Sequence, residues 1–227
     1  MSSRIVALCL LLLISADPSR LFASGQEASR GVVEKFLAAE GPPLRAYRAR
    51  RHLRAANMRF HVAATLDAIT EMTPEGGFRY EILGEDGSRY IREKVLRPVL
   101  RREEMFWRNG DPERNGLTHE NYTFMPEPPV DEMEMRVFIK PRRTDLMLVD
   151  GAVFLARDDA DLQRVEGRLS KNPSFWTSRV DVVRRYARLL GVRVPIAMES
   201  VAHLKVAGRS EFLMTYEYES INGEPVH

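Results

Sequence analysis

Val192-Arg193-Val194-Pro195-Ile196-Ala197-Met198-Glu199-Ser200-Val201-Ala202-His203-Leu204-Lys205-Val206 alternates apolar side chains with polar or small ones. Val192, Val194, Ile196, Met198, Leu204 and Val206 share one phase with Ser200 and Ala202. Arg193, Pro195, Ala197, Glu199, Val201, His203 and Lys205 make up the other. A period of two is that of a strand with one buried and one wet face. Slipping this strand by one residue would move its large apolar side chains into water, at about 1.5–3 kcal/mol each. A whole domain typically has only ~5–15 kcal/mol of stability, so the register is effectively fixed.

The same alternation spreads outward in both directions. Downstream, Phe212, Met214, Tyr216 and Tyr218 face one way and Thr215, Glu217 and Glu219 the other, predicting a strand over Glu211–Ile221. Upstream, strands are expected at Trp176–Leu189, Leu162–Leu169, Ala152–Ala156, Asp145–Val149 and Glu134–Lys140, with Asp150-Gly151 as a hairpin turn between two of them. Near the N-terminus Tyr47, Ala49, Leu53 and Ala55 share a phase that Arg51 interrupts; Arg48, Arg50, His52 and Arg54 occupy the opposite one. Met58, Phe60, Val62, Ala64, Leu66 and Ala68 predict a second strand, and Phe78, Tyr80 and Ile82 a third before the turn signal Asp86-Gly87.

Two stretches change period. Ser29 is placed to cap a helix running to about Glu40, with Val32, Val33, Phe36 and Leu37 on one stripe, and Gly41-Pro42-Pro43 stops it. Between Arg89 and Trp107, Ile91, Val95, Val99 and Leu100 fall at helical spacing, and Pro98 is expected to remove a hydrogen bond and kink the helix. The loop-forming composition from Asn109 to Glu132 reads as a long crossover, since neither half alone has enough strands to close a core.

Ahead of all this, Arg4 and the apolar run Ile5–Ile14 resemble an export signal: the run is shorter than the roughly 20 residues a spanning helix needs. Ala23-Ser24-Gly25 offers a cleavage site, and Ile14-Ser15-Ala16 a second. The expected organisation is therefore a signal peptide over 1–25 and one domain over 26–227. Cys9, the sole cysteine of the chain, lies inside the signal. Disulfides, thiolate metal sites and a cysteine nucleophile are thereby excluded from the exported product. The formal charge is +2 with 29% charged residues. That balance describes a mixed-sign surface and not a nucleic-acid binder.

Chemical motifs are sparse. None of His52, His61, His119, His203 and His227 stands in a metal-ligand spacing, no Gly-x-Ser-x-Gly elbow occurs, and Asp158, Asp159 and Asp161 lack the further oxygen ligands of a calcium loop. His119-Glu120 is the best acid–base pair on offer. No catalytic residue, metal or cofactor is assigned. Arg45–Arg54 forms a guanidinium stripe able to hold anionic lipid headgroups or a protein, unless neighbouring carboxylates neutralise it. Asn172-Pro173-Ser174-Phe175-Trp176 is either a core plug at one end of the sheet or an aromatic gate to an apolar cavity.

Glu120-Asn121-Tyr122-Thr123-Phe124, Lys140-Pro141-Arg142, Arg164-Val165-Glu166-Gly167-Arg168, Lys171–Trp176 and Met214-Thr215-Tyr216 resemble an uncharacterised family of secreted bacterial proteins. Its layout is similar to that of the outer-membrane lipoprotein carriers and lipoprotein-sorting proteins (LolA-like). The resemblance runs roughly from Ser29 to Asn222. It implies an α+β, mainly β fold: a strongly curved antiparallel sheet, an incomplete β-barrel, with helices across its concave face. It also implies an exported periplasmic or outer-membrane-associated carrier, not an enzyme, that holds a lipid or a lipoprotein acyl chain between sheet and helices. Expected lining residues are Val194, Ile196, Met198, Met214, Tyr216, Val182 and Phe60, with Val95 and Val99 from the covering helix and Trp176 at the mouth. The alternative is an envelope interaction or sensor domain with a protein partner and no lipid.

Overall fold

The structure, a computed structural model, describes residues 30–39, 41–109, 112–127 and 133–227. The expected signal over 1–25 and the Ser29 cap lie outside the described residues. Eleven strands form one antiparallel sheet: β1 (Tyr47–Asn57), β2 (Val62–Thr73), β3 (Gly77–Gly87), β4 (Tyr122–Pro126), β5 (Glu134–Pro141), β6 (Val149–Ala156), β7 (Leu162–Leu169), β8 (Thr177–Leu189), β9 (Val192–Leu204), β10 (Gly208–Ile221) and β11 (Glu224–Pro225). Their spatial order is β3-β2-β1-β10-β9-β8-β7-β6-β5-β4, with β11 attached to β10. β3 and β4 are the two edges and do not meet, so the sheet is unclosed. The chain passes from one edge to the other between β3 and β4, and the expected crossover over Asn109–Glu132 contains β4 itself and residues outside the described ones.

Two helices cover the sheet. α1 spans residues 30–38. α2 runs as a helical turn Arg89–Ile91, a π turn Arg92–Leu96 and a longer α segment Arg97–Asn109. The Ser88 hydroxyl accepts from the Ile91 N–H at its start. The π turn falls just before Pro98, where the ring removes a backbone donor and the ladder must be re-spaced.

Cross-strand register shows that both helices lie on the same face. Directly opposed residues point to one side of a sheet, and one row of them reads Leu66, Leu53, Met214, Met198, Arg184, Val165, Val153 and Val137 from β2 to β5. α2 buries Ile91, Leu96 and Leu100 against the Leu66–Met214 end of that row. α1 buries Val33 and Phe36 against the Val165–Val137 end. We call this the inner face. A third cluster, of Tyr47, Ala49, Met72, Phe78, Val192, Val194, Tyr218 and Ile221, closes one end of it.

Several expected boundaries move, each for a local reason. Met58–His61 is a turn and not strand: the Asn57 side chain accepts from the Phe60 N–H at 3.0 Å, and His61 adopts a φ of 51°. Asp86-Gly87 is not a hairpin; β3 continues through it, Gly87 opposing Ala64 before the chain enters α2. Asp150-Gly151 is likewise no turn but the interior of β6, where Gly151 opposes Gly167. A Cβ on Gly151 would stand 2.1 Å from the Glu166 carbonyl oxygen, so close backbone approach explains this glycine. β9 ends at Leu204, leaving Val206 exposed in the turn to β10. The arginine stripe of β1 is partly answered by its neighbours: Arg48 pairs with Glu219 at 2.7 Å and His52 with Asp67 at 2.9 Å.

Candidate functional site on the inner face

Alternation along β1 places Tyr47, Ala49, Arg51, Leu53 and Ala55 inward, so the apparent interruption at Arg51 is a buried cation. A guanidinium can be held in an apolar core only with its donors and its charge matched. Arg51 has its charge and its two terminal nitrogens answered, by a bidentate pair to Glu103 of α2 (2.5 and 2.8 Å) and a hydrogen bond to the Tyr47 hydroxyl at 2.6 Å, while its buried Nε has no acceptor among the described residues. Its plane also lies 4.6 Å from the Tyr216 ring centroid and 5.4 Å from that of Phe78. Burial works against the charge, but the Glu103 hydrogen bond together with the electrostatic contributions of Tyr216, Glu103 and Tyr47 outweighs it, so the Arg51 pKa rises. Burial also pushes the Tyr216 hydroxyl up to about 12 against the opposing influence of Arg51. Tyr47 and Tyr218 shift upward for the same first cause. This assembly pins α2 to the sheet.

Between the two helix-covered clusters runs a seam. Its members are half-buried: Met198 and Arg184 in the central row, Ser200 opposite Val182 in the next, and Tyr186 and Tyr216 beside them. Ile196 is skipped in the β8–β9 pairing, where Arg185 opposes Ala197 and Tyr186 opposes Pro195, and is thus the extra residue of a β-bulge. Arg184 is the one charged member of an otherwise apolar row of eight. Its guanidinium makes no hydrogen bond or ion pair among the described residues. Its positive field reaches both Tyr216 and Tyr122, lowering the pKa of each against the larger upward push of burial. A half-buried guanidinium beside apolar side chains and phenols has donors able to meet an anion.

The expected lining residues divide into three sets. Val182, Val194 and Met214 are fully buried and belong to three different core clusters. Ile196, Met198, Tyr216 and Val99 are half-buried, and Met198, Tyr216 and Val99 pack together against the α2 cluster. Phe60, Val95 and Trp176 lie elsewhere, a correction to the expected lining. Phe60 projects from the β1–β2 turn, Val95 rides on the outer side of the π turn, and Trp176 precedes β8; all three are exposed. Arg184 was not among the expected residues, although it was legible as a charge in phase with Val180 and Val182.

His119 is exposed, 3.8 Å from Glu34 of α1 and edge-on to Phe124, and forms no acid–base dyad with Glu120. Among the described residues no three His, Cys, Asp or Glu side chains converge on a common point, and no helix is long and apolar enough to cross a membrane.

The class defined by these features is α+β and mainly β: an unclosed antiparallel sheet with two helices seated on one face. The chain matches none of the models of known protein families, and no curated protein sequence matches it. Among solved structures it is similar to a DUF1329 family protein from Desulfovibrio piger, at 8% identity and a TM-score of 0.37, over 86% of this chain and 91% of that one. It is also similar to a LolA superfamily protein from Nitrosomonas europaea, at 10% identity and a TM-score of 0.35, over 86% and 91% of the two chains. Strand order and helix placement define the fold of this chain in their own right.

Proposed function

We propose that this protein is an exported binding or carrier module that holds a lipid-like or acylated anionic ligand along the inner-face seam. One observation carries the reading: Arg184, without a counter-charge among the described residues, stands in the middle of an apolar row between two helices. The acyl chain would lie on Met198, Ile196 and the exposed edge of Val99, at ~0.8 kcal/mol per buried methylene. The headgroup would meet Arg184 and the phenols of Tyr186 and Tyr216. A charge-assisted hydrogen bond there is worth about 1.5–3 kcal/mol. The Ile5–Ile14 run, read as an export signal, supports a place in the bacterial envelope, where acylated ligands are abundant.

Titration with a fluorescent long-chain fatty acid and with its methyl ester tests this. Wild type should bind the acid saturably, and Arg184→Leu should weaken the acid about tenfold or more while leaving the ester unchanged. Absence of saturable acid binding by wild type, or equal binding by the variant, would overturn the proposal.

A further inference from the structure

A second feature of the molecule lies away from the seam, at the end of the sheet where β1 turns into β2, β9 into β10, and the chain enters β8. These three loops are neighbours. The Met58 N–H donates to the Arg209 carbonyl at 3.1 Å, the Lys205 N–H to the Trp176 carbonyl at 2.9 Å, and the Arg59 guanidinium to the Val206 carbonyl at 2.9 Å. Together they expose Phe60 (58%), Phe175 (77%), Trp176 (61%) and Val206 (62%). Four large apolar tips at one end are not covered by any other part of the described chain.

The charged residues within these loops are of one sign. Residues 57–62, 171–178 and 203–209 contain Arg59, Lys171, Lys205 and Arg209 and no Asp or Glu. Lys205 lies 3.8 Å from the Phe175 ring, and Arg209 reaches back to Glu211 at 2.9 Å. Beside the loops a polar cleft of about 440 Å³ opens between the ends of β5, β7 and β8. Lys140, Arg142, Arg143, Arg168 and Arg179 line it, with Asp150 the one carboxylate in its wall. Some of that charge is already met: Arg168 pairs with Asp150 at 3.1 Å, Arg179 with Asp181 at 2.6 Å, and Arg143 approaches Asp145 at 3.9 Å. Lys140 has no such partner among the described residues, and the buried Nε of Arg143 has no hydrogen-bond acceptor.

We infer that this end of the sheet docks on a bilayer surface bearing anionic phospholipids. Trp and Phe side chains are at home at the level of lipid headgroups, where apolar tips are covered and polar edges stay wet. Lysines and arginines behind them face the headgroup phosphates, and the cleft has the volume and the charge to take one. An acidic protein partner would answer the basic residues but offers no reason for four apolar tips to project from separate turns. Docking here is independent of what the seam holds.

The test uses flotation with vesicles of phosphatidylcholine, alone and mixed with phosphatidylglycerol. The chain has two tryptophans, so Trp107→Phe leaves Trp176 as the sole reporter. The protein should float with the mixed vesicles at low salt and with neither kind at high salt, and Trp176 emission should shift to the blue on binding. Phe60→Ser/Phe175→Ser/Trp176→Ser changes only exposed side chains and should bind at least tenfold more weakly with an unaltered melting curve. Lys171→Glu/Lys205→Glu should weaken binding roughly fivefold or more per charge. Arg184→Leu should bind vesicles as wild type does, which separates this inference from the seam proposal. Failure of the wild type to float with anionic vesicles, equal flotation of the triple variant, or Trp176 emission unmoved by binding would each overturn it.

Discussion

The two halves of the inner face solve the same problem in different ways. Under α1, Val33 and Phe36 rest on Val137, Ile139, Val153, Val165 and Val182, and the seat is aliphatic. Under α2, Leu96 and Leu100 rest on Leu53, Leu66 and Met214, but one buried guanidinium, Arg51, ties the helix to the sheet through Glu103. Aliphatic packing gives adhesion without much direction; a bidentate ion pair gives a position. A buried pair is weak support for stability in itself but a strong penalty when half of it is removed. α2 is thus held in one register on the sheet, whereas α1 is simply attached to it.

Severing the ion pair should therefore have the largest effect. Glu103→Gln leaves Arg51 buried without its counter-charge and is expected to lower unfolding stability by about 3–5 kcal/mol in urea denaturation. Arg51→Leu with Glu103→Leu should be milder than Glu103→Gln alone, because no charge is then stranded. A single variant no worse than the double would show that the pair carries no special burden.

Next comes the aliphatic seat. Phe36→Ala should cost about 3 kcal/mol through the lost ring and the cavity behind it. Its loss should vary little with salt, in contrast to contributions from the exposed ion pairs. At the margin of that seat, Arg193 lies 5.1 Å from the Phe36 ring centroid while donating to Asp161, which Arg188 also holds at 2.6 Å.

The smallest effect belongs to this margin. Burial pushes the Asp161 carboxyl up, but hydrogen bonds from Arg188 and Arg193 more than reverse it, and it stays below the ordinary aspartate value. A depressed folded-state pKa contributes stability above the unfolded aspartate pKa of about 3.9, and that contribution is lost as pH falls through the folded value. Asp161→Asn should thus flatten the acid limb of a stability–pH curve and leave its neutral plateau lower. An acid limb unchanged by the substitution would show that Asp161 has no part in the acid sensitivity of the α1 side. Glu85, held low by its hydrogen bond to Arg97 first of all, contributes in the same pH direction on the α2 side.

How much of this was legible in the chain depended on the range of the interaction. Alternation is a local signal, and it placed Leu53, Met198, Met214 and Val182 on one face without knowledge of strand order. Arg51 was visible as a charge on a buried phase; Glu103, 52 positions away in sequence, was not visible as its answer. Turn signals misled where glycine had a different role. Gly151 permits the close approach to Gly167, a contact between strands that no local pattern reports. Phe60 kept the phase of Val62 and Leu66, but the Asn57 side chain closes a turn around it, and β2 begins only at Val62. Arg184 fell before a β-bulge that resets the β8–β9 pairing, and so its place among Met198, Val165 and Val153 emerged only from register.

The proposed carrier function turns on the inner-face seam, and not the outer face of the same strands, receiving an acyl chain. A photoreactive benzophenone amino acid placed at Met198 and, separately, at its outward neighbour Glu199 would distinguish the two faces. Each variant is irradiated with a long-chain fatty acid, and the intact protein is weighed. A fatty-acid adduct at position 198 and none at 199 is the expected result. Equal labelling at both positions, or none at 198, would contradict it.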